Sequence, residues 1–309
     1  MTCKRRFGFS AFQLIVVVAM LAVAFSLFFP AVMKVRMAAN RAKRSSNMRQ
    51  IGIAVNNHDA QVQYLPPGCD ENNFSAMTRL LPYFEEDTVA AKIDFDKPVD
   101  DKVNLAVAKN RIMILQSPSD PLKQVTDDFP GANVLFCAGS EPGIDGNNNV
   151  FCRGKKTAKY TLATIPDGTS NTMMAVETLK GDGSEKATDV RRQHVRLDKD
   201  ALKDLKDDAG EKDWKDGKHI SGMRCANWMD GRFMQGTFTA TRPPNTELPD
   251  VDCGGEGGLM SVRSLDGIIT IGLFDGHVVN VDATKIDLKI WKRYANAASN
   301  EEKNFDLGK

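Results

Sequence analysis

The apolar positions are densest near the start of the chain. Residues 9–32 read FSAFQLIVVVAMLAVAFSLFFPAV, 24 residues without a formal charge. As a helix this run would be about 36 Å long, enough to cross a bilayer. Only Ser10, Gln13 and Ser26 interrupt it, whereas a core helix would carry a polar stripe at helical spacing. Beyond Pro30 the pattern turns amphipathic, with Met37, Ile51, Val55 and Val62 spaced for a helix lying on a globular body. Leu65-Pro66-Pro67-Gly68 stops that helix.

From Cys69 onward, short apolar runs alternate with Gly, Pro, Asn and Asp, which predicts antiparallel strands and long loops rather than βαβ units. Strands are expected at 133–138, 172–178, 233–239, 268–274 and 277–281, the last two joined across the hairpin signal Asp275-Gly276. Short helices are expected at 76–84 and 105–111. Residues 180–218 are dense in mixed charge and read as a solvent-exposed insertion, helical over 198–208.

Charge sharpens this division. The 309 residues sum to +1, which gives no footprint for a nucleic-acid partner. No acid precedes Asp59, while residues 1–49 hold nine bases, leaving 32 bases against 40 acids in the remainder. A basic arm therefore precedes an acidic body. The positive-inside rule does not orient the apolar run, because the six bases at Lys34, Arg36, Arg41, Lys43, Arg44 and Arg49 outnumber Lys4, Arg5 and Arg6. The run is also too long, and lacks an A-x-A-like site, for a cleaved secretory signal.

Lys4-Arg5-Arg6-Phe7-Gly8 followed by Phe9-Ser10 resembles the type IV prepilin leader, cut after Gly and N-methylated on the aromatic residue that follows. That resemblance implies processing between Gly8 and Phe9 by a prepilin peptidase. The family's Glu at the fifth mature position is here Gln13, a departure that weakens the expected pairing with a neighbouring subunit's N-terminus. Further segments follow in a set order. They are residues 45–68 (SSNMRQIGIAVNNHDAQVQYLPPG), Ser117-Pro118-Ser119-Asp120-Pro121, residues 165–177 (IPDGTSNTMMAVE), Trp228-Met229-Asp230-Gly231, Pro243-Pro244-Asn245, Cys253, residues 273–278 and a terminal helix at 286–294. Together they resemble the planctomycete-type prepilin-like family, whose domain of unknown function ends in an H-x9-DG signature. The signature His would fall at Leu265, and two family cysteines appear as Ser46 and Gln116. The signature turns Asp167-Gly168-Thr169-Ser170-Asn171 and Asp275-Gly276 are explained by turn chemistry alone.

Candidate chemistry is sparse. His58, His194, His219 and His277 are scattered, and no HExxH, P-loop, nucleophile elbow or dinucleotide fingerprint stands in its proper context. A non-enzymatic protein without a cofactor is expected. Asp145, Asn147 and Asn149 open a calcium-loop pattern, but Val150 stands at the sixth position and Lys156 at the twelfth, so an Asn-rich turn is favoured. In an exported body, Cys137 with Cys152 or Cys225 with Cys253 are candidate disulfides, with Cys69 left over.

The expected architecture is α+β, with a type IV pilin-like long N-terminal helix, membrane-embedded in its first half, on a mainly antiparallel body with long loops. Its parts are a leader (1–8), a transmembrane helix (9–32), an amphipathic helix (33–64) and an exported body (65–309). The expected partners are the lipid bilayer, a prepilin peptidase and other pilin-like subunits, and the expected place is the cytoplasmic membrane or an envelope filament. A monomeric anchored binding module for a glycan or an envelope protein is the alternative.

Overall fold

The structure is a computed structural model that describes residues 11–145, 148–154 and 160–298, apart from the side chains of 22–25 and 27. It divides into two units, Met1–Lys43 and Arg44–Lys309. Helix α1 (Ala11–Val62) begins in the first and ends in the second, with Pro30 inside it. In the smaller unit its described residues are almost all exposed, including Phe12, Leu14, Ile15, Phe28 and Phe29. Among the described residues no helix is long and apolar enough to cross a membrane. The expected span at 9–32 includes two residues and five apolar side chains outside the described set.

The larger unit is α+β. Its first sheet has strands β1 (Val134–Gly139), β2 (Met173–Glu177), β5 (Thr237–Thr239), β8 (Ile268–Leu273) and β9 (Val278–Asp282), in the order β5-β1-β2-β8-β9. Its second has β3 (His194–Leu197), β4 (Ile220–Ser221), β6 (Asp250–Cys253) and β7 (Gly258–Leu259), in the order β4-β3-β6-β7. Both sheets are mixed: β1 pairs parallel to β5 and β3 parallel to β6, while the other pairings are antiparallel, in keeping with the expected mainly antiparallel body.

Both faces of the first sheet are covered, and the alternation along its strands shows how. Val134 and Phe136 turn to a core shared with Met48, Ile51 and Val55 of α1, while Leu135 and Cys137 turn to the opposite core. That second core is closed by Trp291 and Ala295 of helix α6 (Leu288–Ala295), whose N-cap Asp287 accepts from the Lys289 and Ile290 amides. Burial of Met48, Ile51 and Val55 at spacings of three and four places one stripe of α1 on the sheet. Gly68 then lets the chain pass Phe151, whose carbonyl oxygen would lie 1.8 Å from a Cβ there.

Several elements differ locally from expectation. The helix expected at 76–84 becomes α2 (Ala76–Leu80) followed by a 3-10 turn over Leu81–Phe84, because Pro82 cannot donate within an α-helix. After α3 (Asp87–Ala90) comes α4 (Lys102–Ala108), which starts earlier than the expected 105 because Asp101 caps it. Only Thr237–Thr239 of the expected strand 233–239 is extended, since Met234 takes a positive φ in a turn. The region 180–218 is not simply an exposed insertion. It supplies β3, a 3-10 turn at Lys199–Asp204 and α5 (Glu211–Lys215), and it buries Lys180, Gln193 and His194.

Trp228 anchors the core under α4. It is fully buried and its Nε1 donates to the carbonyls of Ala108 (3.0 Å) and Asn110 (2.9 Å). Trp228→Ala should lower unfolding stability by about 3–5 kcal/mol, read as a reduced urea midpoint of the full chain in detergent.

Candidate functional site

Four of the segments singled out by motif, 45–68, 117–121, 165–177 and 273–278, meet around two features of the larger unit. The first is a pair of turns. Gly168 (φ 81°) admits the chain to a 3-10 turn at Thr169–Asn171, where Asn171 Nδ2 donates to the Asp167 carbonyl (3.2 Å) and Thr172 Oγ1 to that of Gly168 (3.0 Å). Asp275 and Gly276 turn the β8–β9 hairpin, with Gly276 at φ 82° and the His277 amide on Asp275 Oδ1 (2.8 Å). The Asp275 amide donates to the Thr169 carbonyl (3.3 Å), so the two turns are joined directly. Helix α1 lies on them: a Cβ on Gly52 would stand 3.1 Å from the Gly276 Cα, and Asn56 Nδ2 reaches the Phe274 carbonyl at 3.5 Å.

The second feature is a network of buried charge at the end of β2, residues 177–180. Glu177 Oε1 lies 2.8 Å from Arg44 Nε of α1 and accepts from Ser117 Oγ (2.7 Å). Arg44 also grips Asp266 with Nη1 (3.1 and 3.0 Å) and the Ile268 carbonyl with Nη2 (2.6 Å). Thr178 Oγ1 accepts from Arg224 Nη2 (2.7 Å) and the Arg263 amide (2.9 Å). Asp250 of β6 sits between those two arginines, ion-paired to Arg224 Nη1 and to Arg263 Nη2 (2.8 Å), all three fully buried. The Lys180 amide donates to Asp120 Oδ2 (3.3 Å), and Asp120 pairs with Arg192 (2.8 Å) and accepts from Asn133 Nδ2 (2.8 Å). Lys180 Nζ donates to Gln116 Oε1 (2.7 Å) and to the carbonyls of Lys123 (3.1 Å) and Pro130 (3.2 Å).

Burial sets the electrostatics. It pushes the Glu177 carboxyl up to about 7, against the pull of Arg44 and the Ser117 hydroxyl. It lowers the Lys180 ammonium to about 8 despite Asp120, and His194, beside Asp250, to about 4. Each charge faces an opposite charge or a set of carbonyl oxygens. This arrangement ties α1, the first sheet and the second sheet to one strand end, and its chemical role is to hold those elements in place.

The candidate site residues are dispersed. Gly8, Phe9 and Asn147 lie outside the described residues, and Gln13 is exposed near the start of α1. Among the described residues the calcium pattern is not assembled as a ligand set. Asp145 lies 3.4 Å from Arg153 Nη1, and Asn149 is buried with its amide spent on the Ala295 (2.6 Å) and Met173 (3.3 Å) carbonyls. Neither expected disulfide forms: Cys69, Cys137, Cys152, Cys225 and Cys253 are free thiols. Cys137 and Cys225 share the core under α6, whereas Cys253 lies in the small core of the second sheet and Cys152 lies outside these cores. Burial raises the Cys137 and Cys225 thiols to about 12. Leu265, where the signature His would stand, is 42% exposed and adjoins Asp266, the partner of Arg44.

Sequence reading found Ser117, Asp120 and Glu177 as members of motifs but not their partners. Arg44 and Arg192 stand within runs of charge and Arg224, Asp250 and Arg263 in turn-rich stretches, so none carries a local signal of burial.

The network generates two expectations. Arg44→Met leaves Glu177 and Asp266 without their cation and should cost about 3–5 kcal/mol of unfolding stability, checked by urea titration. Glu177 binds its proton more tightly folded than unfolded, where 4.5 is the ordinary value. Its contribution is therefore complete below pH 4.5 and declines as pH rises through 7. Relative to Glu177→Gln, the wild type should lose about 1–3 kcal/mol over that window, measured as the difference between the two stability–pH curves. A constant difference would refute the assignment.

Comparison with known proteins gives one positive result. A family model described as Protein of unknown function (DUF1559) matches residues 33–285. No curated protein and no solved structure matches the chain. The matched stretch runs from within α1 through both sheets to the turn after β9, and so contains both signature turns and the whole charge network. The chain is a member of this DUF1559 family of proteins of unknown function.

Proposed function

We propose that the protein is a type IV pilin-like, membrane-anchored structural subunit whose α+β body is exported into the cell envelope. One observation carries the reading: the uncharged run 9–32 directly follows a basic leader ending in Gly8, with an aromatic residue at the junction. A helix that continues from this run into the body supports it, because one element can then serve as both anchor and stalk. The body adds a scaffold of buried ion pairs and joined turns, suited to presenting a fixed surface. Gln13 favours a second reading. Without the carboxylate that would meet a neighbour's N-terminus, the protein would act as a monomeric anchored binding module for a glycan or an envelope protein.

The test is the intact mass and N-terminal peptide of protein isolated from its native membrane. A chain beginning at N-methylated Phe9 is expected, and a Met1 start would sink the pilin-like reading. For assembly, sheared high-mass polymer is expected in detergent-free extracts, with Gln13→Glu leaving incorporation equal or raised. Monomer alone in the membrane for both forms selects the binding module.

A further inference from the structure

We infer that Lys34, Arg36 and Lys43 form a collar on α1 that binds the phosphate headgroups of anionic lipids where the helix leaves the bilayer. This rests on the anchorage proposed above. All three side chains are exposed, and the first stands two positions after Val32, where the apolar run ends. Among the described residues no ion pair engages Lys34, Arg36 or Lys43, and no acid occurs before Asp59 to neutralise them. The next base, Arg44, is different in kind, being buried and paired with Asp266 and Glu177.

The placement of the three bases decides what they fit. At about 100° per residue, Lys34 falls on one side of the helix and Arg36 and Lys43 on the opposite side. A groove on a protein would ask for a single stripe of charge. A membrane surrounds an emerging helix on all sides, and charge on two opposite sides matches that. Along the axis the three bases span about 14 Å. The headgroup layer accounts for roughly 5–7 Å on each side of the hydrocarbon, and flexible Lys and Arg stems reach several Å further. Charges just beyond that layer still act within a Debye length of about 8–10 Å. The apolar run, at about 36 Å against about 30 Å of hydrocarbon, brings Lys34 to the interface with modest tilt. The collar would thus set the depth and tilt at which the helix emerges, which net charge cannot do in a chain whose charges sum to +1.

The experiment reconstitutes the full chain in vesicles of phosphatidylcholine mixed with phosphatidylglycerol, washes them with alkaline carbonate, and extracts the protein with its bound lipid. Phosphatidylglycerol should be enriched about fivefold over its bulk fraction, the weight of one well-placed base at an anionic surface. The enrichment should fall to the bulk ratio in the combined variant Lys34→Gln, Arg36→Gln, Lys43→Gln, and also for the wild type in molar salt, which needs no variant to fold. Retention through the wash without enrichment overturns the collar while leaving anchorage intact. Release by the wash overturns anchorage and the collar with it. Cross-links from the collar to the acidic body of a second copy, with no lipid enrichment, would assign the surface to a protein contact and also overturn it.

Discussion

The architecture depends on how a few charges are buried together at one strand end. Asp250 lies between Arg224 and Arg263 with no exposed surface, Asp120 is clasped by Arg192, and Arg44 reaches Glu177 and Asp266. Taking such groups out of water is costly, and removing one partner leaves the other uncompensated. The elements that carry them are therefore bound to one relative arrangement. Residues 177–180 touch all three groups, so the strand that follows the Asp167–Asn171 turn acts as the junction of helix, first sheet and second sheet.

The two signature turns have a related role. Short polar runs of this kind invite a ligand-binding reading, yet here Asn171 and Thr172 bond back to their own turn, and the Thr169 carbonyl takes the amide of Asp275. Glycine matters at this point for space as well as for φ. Gly52 on the helix and Gly276 on the hairpin allow backbone to approach backbone, and Gly272 leaves room for Met48. Motif and packing thus describe the same contact from two sides.

Cysteine shows how context changes chemistry. The members of each candidate pair sit apart, Cys137 and Cys225 in one core, Cys253 in another and Cys152 in neither, and burial raises the Cys137 and Cys225 thiols to about 12, as for buried small hydrophobes. Gln116 and Ser46 stand at the two positions where the family resemblance implied cysteines. Gln116 uses both ends of its amide, accepting from Lys180 and donating to the Gly131 carbonyl at 2.7 Å. A hydrogen-bonded junction thus occupies that position.

By itself the sequence determined the long N-terminal helix, the principal strands of the first sheet, the Asp275-Gly276 hairpin and the terminal helix, because each is written in local periodicity and turn chemistry. It also determined the division into a basic arm and an acidic body. The tertiary structure alone decided the second sheet, whose strands of two to four residues are too short to show a period, and the parallel pairings β1–β5 and β3–β6, which join segments far apart in the chain. It alone decided that Lys180, Arg224 and Arg263 lie inside rather than in solvent. A charge is legible as buried only through its partners, and Arg44 and Asp266 are 222 residues apart.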